Sequence, residues 1–336
     1  MSFKRVFNVL LRKSDKTISR VEFKNGISIY NYDSSFMLYS SKEIINGSHR
    51  FIDGWFDIGT DDGIYGLINS KRGSLIYVYS LNNTLAKSNV LQFDPKKYAI
   101  KFPYIKKIDN TINILYYLIT PSKPNSCTLY HYYYSNNKWH STSICTLDYF
   151  ILTNFVVTYE NGIPSIFFLN RIKNYEELFV TTFDSLSKTW TTPYKITNTK
   201  KSKVYLSIIK DEHNTYHISY SENSENKYRC IYFNGLFKNN IFETNPNYIV
   251  FEETITCSFP TLLKYKSQLI LQYIDNNELY SSTSSLSGEK WTNPNVNIKS
   301  SKNTFIRYDY KSNCKEDALN IMPNYFSLET SLFPLF

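Results

Sequence analysis

Arginine and lysine recur in short polar stretches that separate apolar runs: Lys24, then Lys71 and Arg72, then Lys123, then Arg171 and Lys173, then Lys227 with Arg229 just beyond. A guanidinium presents a forked pair of donors that matches a carboxylate or phosphate, so several of them in equivalent places suit an anionic ligand. Tyr175 and Glu176 lie in the same stretch as Arg171 and add a flat ring with a hydroxyl and an acceptor, the combination that holds a sugar ring. The candidate ligand set is therefore Arg72, Lys123, Arg171, Tyr175, Glu176, Lys227 and Arg229. The sixth equivalent stretch carries Asp275 instead. The competing reading is that the lysines only keep loops soluble.

Other chemistries find less support. Glycoside hydrolysis needs two carboxyl groups facing one site. Asp53, Asp57, Asp61 and Asp62 cluster in sequence, but the last two precede Gly63 in a tight turn, where Asp serves local hydrogen bonds. His213 and His217 are four apart without a third ligand nearby, so no metal is expected. The five cysteines are widely spaced, odd in number and contain no C-x-x-C pair, which argues against a zinc site or a disulfide framework and fits a reducing environment. No nucleophile elbow or phosphate-cradling glycine loop is present, and no cofactor is expected.

A net charge of +9 with pI about 9.0 biases encounters toward anionic partners such as acidic glycans, nucleic acid or cell-wall polymers. The richest basic run, Thr199 to Lys203, is short, so no specific nucleic-acid partner is expected. The apolar part of the first sixteen residues is too short and interrupted for a signal peptide, and nowhere do 18 apolar residues run together. The expectation is a protein without a membrane span, cytoplasmic, or released or surface-associated without a classical signal. The Lys, Asn, Ile, Tyr and Phe bias points to an AT-rich genome, bacterial or phage.

The elements that must position these residues repeat. Hairpins ending at Tyr39, Val90, Trp139, Trp190, Ile241 and Trp291 follow each other at steps of 51, 49, 51, 51 and 50 residues. A second register agrees: strands expected to begin at Ile18, Ile64, Ile112, Ile163, Tyr216 and Leu269. Phe102-Pro103 and Phe259-Pro260 add a third match, 157 residues apart. Short apolar and β-branched runs divided by Asn, Asp and Gly turns, among them Asp109-Asn110, read as antiparallel meanders. Six such four-stranded units at this period predict an all-β, six-bladed β-propeller, the alternative being seven blades with an incomplete one. Residues 1–310 are expected to form this single domain, with 311–336 a tail that packs on it or closes it. In that arrangement the cations listed first all lie between the second and third strands of their units, on one face.

Ser284-Ser-Leu-Ser-Gly288-Glu-Lys-Trp291 resembles the Asp-box, or BNR, hairpin of sialidase-like propellers, with Leu286 where the pattern has aspartate. Asp184 to Trp190 is one residue shorter, and Ser135 to Trp139 keeps the terminal Lys-Trp. The resemblance implies a propeller in which the tryptophans anchor blade cores. Sialidases grip a substrate carboxylate with three arginines, the first near a Phe-Arg-Ile-Pro-like start. Lys4-Arg5-Val6-Phe7 is the local counterpart, without the proline. The leading expectation is a non-catalytic, lectin-like module for an anionic carbohydrate or acidic polymer. The alternatives are a sialidase-like glycoside hydrolase, with Arg72, Arg171 and Arg229 as its anion grip, and a protein-interaction scaffold.

Overall fold

A computed structural model of the chain describes residues 2–47, 51–81, 84–108, 111–135, 137–238, 241–251 and 254–336. The turn expected at Asp109 and Asn110 lies outside them. The chain divides into two compact units.

The N-terminal unit comprises Val6–Asp148 and Asp309–Ala318. Blade 1 is built from Asn8–Arg12, Ile18–Phe23, Gly26–Tyr32 and Leu38–Asn46. Blade 2 follows with Phe51–Ile58, Ile64–Ser70, Ser74–Leu81 and Thr84–Gln92. Blade 3 has Ala99–Ile108, Thr111–Ile119, Ser126–Ser135 and Lys138–Asp148. The C-terminal unit comprises Met1–Arg5, Tyr149–Tyr308 and Leu319–Phe336. Its blade 4 starts with Val156–Glu160, Ile163–Ile172 and Tyr175–Asp184, and its fourth strand is split into Thr189–Trp190 and Tyr194–Lys195. Blade 5 has Lys203–Lys210, Tyr216–Ser224 and Lys227–Lys238, with a fourth strand split into Ile241–Thr244 and Ile249–Phe251. Blade 6 has Ser258–Tyr265, Gln268–Asp275, Glu278–Ser285 and Asn295–Val296.

Every pairing within a blade is antiparallel and follows chain order, and the described residues form six sheets, not seven. The fold is an all-β, six-bladed β-propeller with one five-residue α-helix, Ile298–Lys302. The strand Phe305–Ser312 is shared between the units. Its second half runs beside Asn8–Arg12 in the N-terminal unit, where the Asn313 N–H continues the pairing to the Arg12 carbonyl at 2.9 Å. Its first half lies in the C-terminal unit, where the Lys4 N–H donates to the Phe305 carbonyl at 2.9 Å.

The sequence dictates this locally. The second strand Ile64–Ser70 is buried along its whole length because both of its faces are covered. The third strand of blade 3 alternates: Cys127, Leu129, His131 and Tyr133 are buried while the residues between them are not. With glycine scarce, asparagine takes the left-handed positions of two-residue turns, at Asn161-Gly162 and Asn276-Asn277 (φ +49° and +66° in the latter). Blades adhere through shared apolar layers. Val9, Val21 and Ile29 of blade 1 pack with Phe56, Ile68 and Val78 of blade 2. In the other unit Phe167, Leu178 and Val180 of blade 4 pack with Ile208, Ile218 and Phe233 of blade 5. Each fully buried side chain of this size contributes about 1.5–3 kcal/mol.

The hairpin of blade 6 shows what a tryptophan does at the repeat boundary. Ser284 bridges to Trp291, and the indole Nε1–H donates to the Gly288 carbonyl at 3.1 Å. The ring meets Tyr232 at 4.7 Å and joins the blade 5 and 6 core together with Leu286. Gly288 has φ +68°, and a Cβ there would lie 1.8 Å from the Tyr232 hydroxyl, so no other residue fits.

Candidate functional site

At one end of blades 4 and 6, the hairpin between strands two and three meets the segment that enters the blade's first strand. In the C-terminal unit these ends are tied by carboxylates. Glu176, buried at the hairpin of blade 4, accepts the Phe150 N–H at 3.2 Å. Asp275, buried at the hairpin of blade 6, accepts the N–H groups of Ile255 and Thr256 at 3.0 and 2.9 Å and the Thr256 hydroxyl at 2.7 Å.

Between those two lies an ionic knot. Lys203 opens the first strand of blade 5 and its side chain is fully buried. Its ammonium lies 3.0 Å from Glu177 and 3.4 Å from Glu222, and donates to the carbonyls of Glu176 and Lys201 at 2.9 and 2.8 Å and to the Thr199 hydroxyl at 2.7 Å. Glu177 also accepts the Lys200 N–H at 2.8 Å and the Thr197 hydroxyl, and Glu222 accepts the Thr199 hydroxyl at 2.6 Å. Half-exposed Lys201 stands 3.7 Å from Glu222 and offsets the second carboxylate. A buried charge of this kind is tolerated only when it is paired and hydrogen-bonded, as this ammonium is. Burial and the nearby Glu222 push the Tyr220 hydroxyl pKa well above its ordinary value.

The cations flank this knot. Arg171 is the cross-strand partner of Glu176, and its guanidinium carbon lies 4.6 Å above the ring of Phe150, which is 52% exposed. Arg229 is the cross-strand partner of Glu222. Lys203 thus joins the hairpin of Arg171 and Glu176 to that of Arg229. Tyr175 closes its hairpin opposite Ile172, and Lys227 stands exposed opposite Ser224. Arg72 and Lys123 belong to blades 2 and 3 of the N-terminal unit, where both are exposed on the hairpins between strands two and three, as is Lys24 of blade 1. Lys123 sits in a backbone-bonded turn, its N–H on the Thr120 carbonyl at 2.9 Å.

Several candidates from the sequence find local partners. Asp61 accepts the Gly63 N–H and the Tyr65 hydroxyl at 3.0 and 2.7 Å, and Asp62 accepts the Ser14 N–H at 3.0 Å. His217 lies between Asp211 at 3.2 Å and the Tyr232 hydroxyl at 2.8 Å, fully buried. Burial alone pushes the Asp211 carboxyl up, and hydrogen bonds from His217 and from the Thr215 and His213 N–H groups outweigh it, so it titrates below the usual range. Among the described residues no three His, Cys, Asp or Glu side chains gather as metal ligands. No helix among them is long and apolar enough to cross a membrane. Phe150, Glu177, Lys203 and Glu222 were not singled out from the sequence.

No family model matches the sequence, and no curated protein matches it. Solved structures do. A polysaccharide lyase of family PL25, an ulvan lyase bound to -[GlcA(1-4)Rha3S]-, superposes with TM-score 0.61 at 8% identity, over 97% of this chain and 93% of its own. The polysaccharide lyase Uly1 gives 0.54 at 9%, over 88% and 82%. The Penicillium chrysogenum α-L-arabinanase complexed with arabinobiose gives 0.51 at 11%, over 72% and 80%. At such identities the likeness establishes the propeller fold.

Proposed function

We infer that the chain recognises an acidic polysaccharide through the hairpin ends of its blades. The observation that carries this reading is the ordered pair of arginines on neighbouring blades, Arg171 and Arg229, held apart by the buried Lys203 knot, with an exposed aromatic ring under Arg171. Cations on the hairpins of blades 1, 2 and 3 supply a further set of the same sign. Binding is lectin-like: preformed guanidinium groups meet carboxylates or sulfates, and weak single contacts add up along a polymer. The likeness to a lyase bound to -[GlcA(1-4)Rha3S]- and to an arabinanase complexed with arabinobiose supports a carbohydrate partner. The hairpin from Ser284 to Trp291 supports a distant kinship with Asp-box propellers, its aspartate replaced by the core-packing Leu286.

A binder is favoured over a sialidase-like hydrolase because the carboxylates beside the arginines are already engaged. Glu176, Glu177 and Glu222 are buried and bonded to main chain, threonine or Lys203, so none stands free to face another across a glycosidic bond. Cleavage is the second reading, favoured by the whole-length likeness to a lyase. Incubating the protein with uronic-acid polysaccharides separates the two: binding without release of reducing ends or of an unsaturated uronide supports the module, and either product supports an enzyme. A protein that retains no charged or neutral glycan refutes both and leaves the scaffold.

A further inference from the structure

Three first strands break step at equivalent places. In blade 3 Phe102 and Pro103 together face Tyr116, in blade 5 Tyr205 and Leu206 face Tyr220, and in blade 6 Phe259 and Pro260 face Tyr273. Each is a β-bulge with one residue too many on the first strand. In each the leading residue is an aromatic in the left-handed region, with φ +51°, +58° and +52°. That conformation costs an L-residue roughly 1–2 kcal/mol and is rare for a bulky one. The opposing tyrosines are buried, whereas the leading rings are only partly covered: Phe102 is 36% exposed, Tyr205 is half-buried, and half-buried Phe259 packs against the cluster of Phe305, Phe326 and Leu335 while keeping part of its surface open. Strain held at a partly open aromatic points to use of the ring.

In the C-terminal unit the rings meet. Tyr205 and Phe259 lie 4.7 Å apart, Phe3 lies 5.4 Å from Phe259, and the exposed Arg5 places its guanidinium carbon 5.5 Å over the Phe259 ring. The backbone entering both bulges is the part the carboxylates fix. Lys203 precedes Tyr205 by two residues, and Thr256, held by Asp275, precedes Phe259 by three. A tied backbone, two rings and the exposed guanidinium of Arg5 over one of them are thus brought together.

We propose that Tyr205, Phe259 and Arg5 form a subsite that seats one acidic sugar residue, the rings lying against its apolar C–H face and Arg5 pairing with its anionic substituent. Aromatic rings supply rigid contact area with little entropy to lose, and the guanidinium adds direction. The subsite rests on the acidic-glycan reading and gives it a place.

The test uses the full chain and two probes, an oligogalacturonate and a neutral oligosaccharide of equal length, with Tyr205→Gly, Tyr205→Phe and Arg5→Gln. Glycine carries the left-handed conformation without strain, so Tyr205→Gly is expected to unfold at the same or a higher urea concentration while binding the acidic probe about tenfold more weakly. Tyr205→Phe keeps the ring and the affinity, and Arg5→Gln weakens the acidic probe alone. Unchanged affinity in Tyr205→Gly overturns the subsite and leaves the acidic-glycan reading intact. A joint loss of affinity and stability in that variant also overturns it, because the ring is then packing. Binding of the neutral probe only, or of neither probe, refutes the acidic-glycan reading and the subsite with it.

Discussion

The two units fix the same end of the same repeat by different chemistry. In the C-terminal unit carboxylates do it, three of them gathered round or beside one buried ammonium. In the N-terminal unit the work falls to a neutral amide: Asn69, fully buried at the hairpin of blade 2, donates to Asp53 at 2.9 Å and to the Ile100 carbonyl at 3.0 Å, at the start of the first strand of blade 3. Burial raises the Asp53 carboxyl pKa, against the pull of Asn69 and Lys101. Both solutions position a first strand two residues before an aromatic bulge, at Tyr205 and at Phe102. The contrast teaches that the geometry of the bulge is what the repeats keep, while the means of holding it varies. Ionic ties are the more costly to break, since removal of one partner strands a buried charge.

That contrast can be broken or sharpened by substitution. Lys203→Met is the harshest change, leaving Glu177 and Glu222 buried without their cation, and is expected to cost about 3–5 kcal/mol in urea unfolding. Lys201→Met, at a half-exposed site, is the control and is expected to shift the midpoint little.

The next largest effect belongs to the N-terminal unit and appears on acidification. His131, 1% exposed and 3.0 Å from Asn113 Oδ1, has its pKa pushed down by burial to about 3. The unfolded value is near 6.5. Between these values the unfolded chain holds the proton and the folded chain does not. Its contribution to stability is therefore complete above about pH 6.5 and is lost as the pH falls toward 3, at about 1.4 kcal/mol per unit, or roughly 3 kcal/mol by pH 4. His131→Gln is expected to flatten that part of the stability profile, and an unaltered profile would refute the assignment.

Asn69→Ala comes third, at about 1–3 kcal/mol, because it removes the amide donor shared by the Ile100 carbonyl and Asp53. If it matches Lys203→Met, the distinction between neutral and ionic ties has no energetic meaning. Trp291→Phe is the mildest, about 1 kcal/mol, since a smaller aromatic ring still fills part of the half-buried site while the bond to the Gly288 carbonyl is lost.

Much of the fold was legible beforehand because hydrophobic alternation and turn residues are local signals. The expected second-strand starts at Ile18, Ile64, Ile163 and Tyr216 coincide with the observed ones, and those at Ile112 and Leu269 fall one residue late. The Phe-Pro pairs at 102 and 259 were visible as repeats, but a bulge is a matter of register, and Tyr205-Leu206 carries no proline to mark it. Lys203 was hidden inside a basic run. Composition cannot tell that Lys201 faces water while Lys203, two residues on, enters a strand and is enclosed. Glu176 was noticed and Glu177 was not, although neighbours on a strand point to opposite faces and here serve different ties. Long-range pairs such as Lys203 with Glu177 and Glu222 depend on which blade stands next to which, and no local pattern records that.

The claim that the hairpin arginines grip an acidic glycan is tested most directly by calorimetric titration of an oligogalacturonate into the native protein and into the Arg171→Gln, Arg229→Gln double variant at two salt concentrations. The account predicts salt-sensitive binding by the native protein and about a tenfold or greater loss in the double variant, with urea stability within about 1 kcal/mol. Equal affinity in both proteins, or heat that does not change with salt, would contradict it.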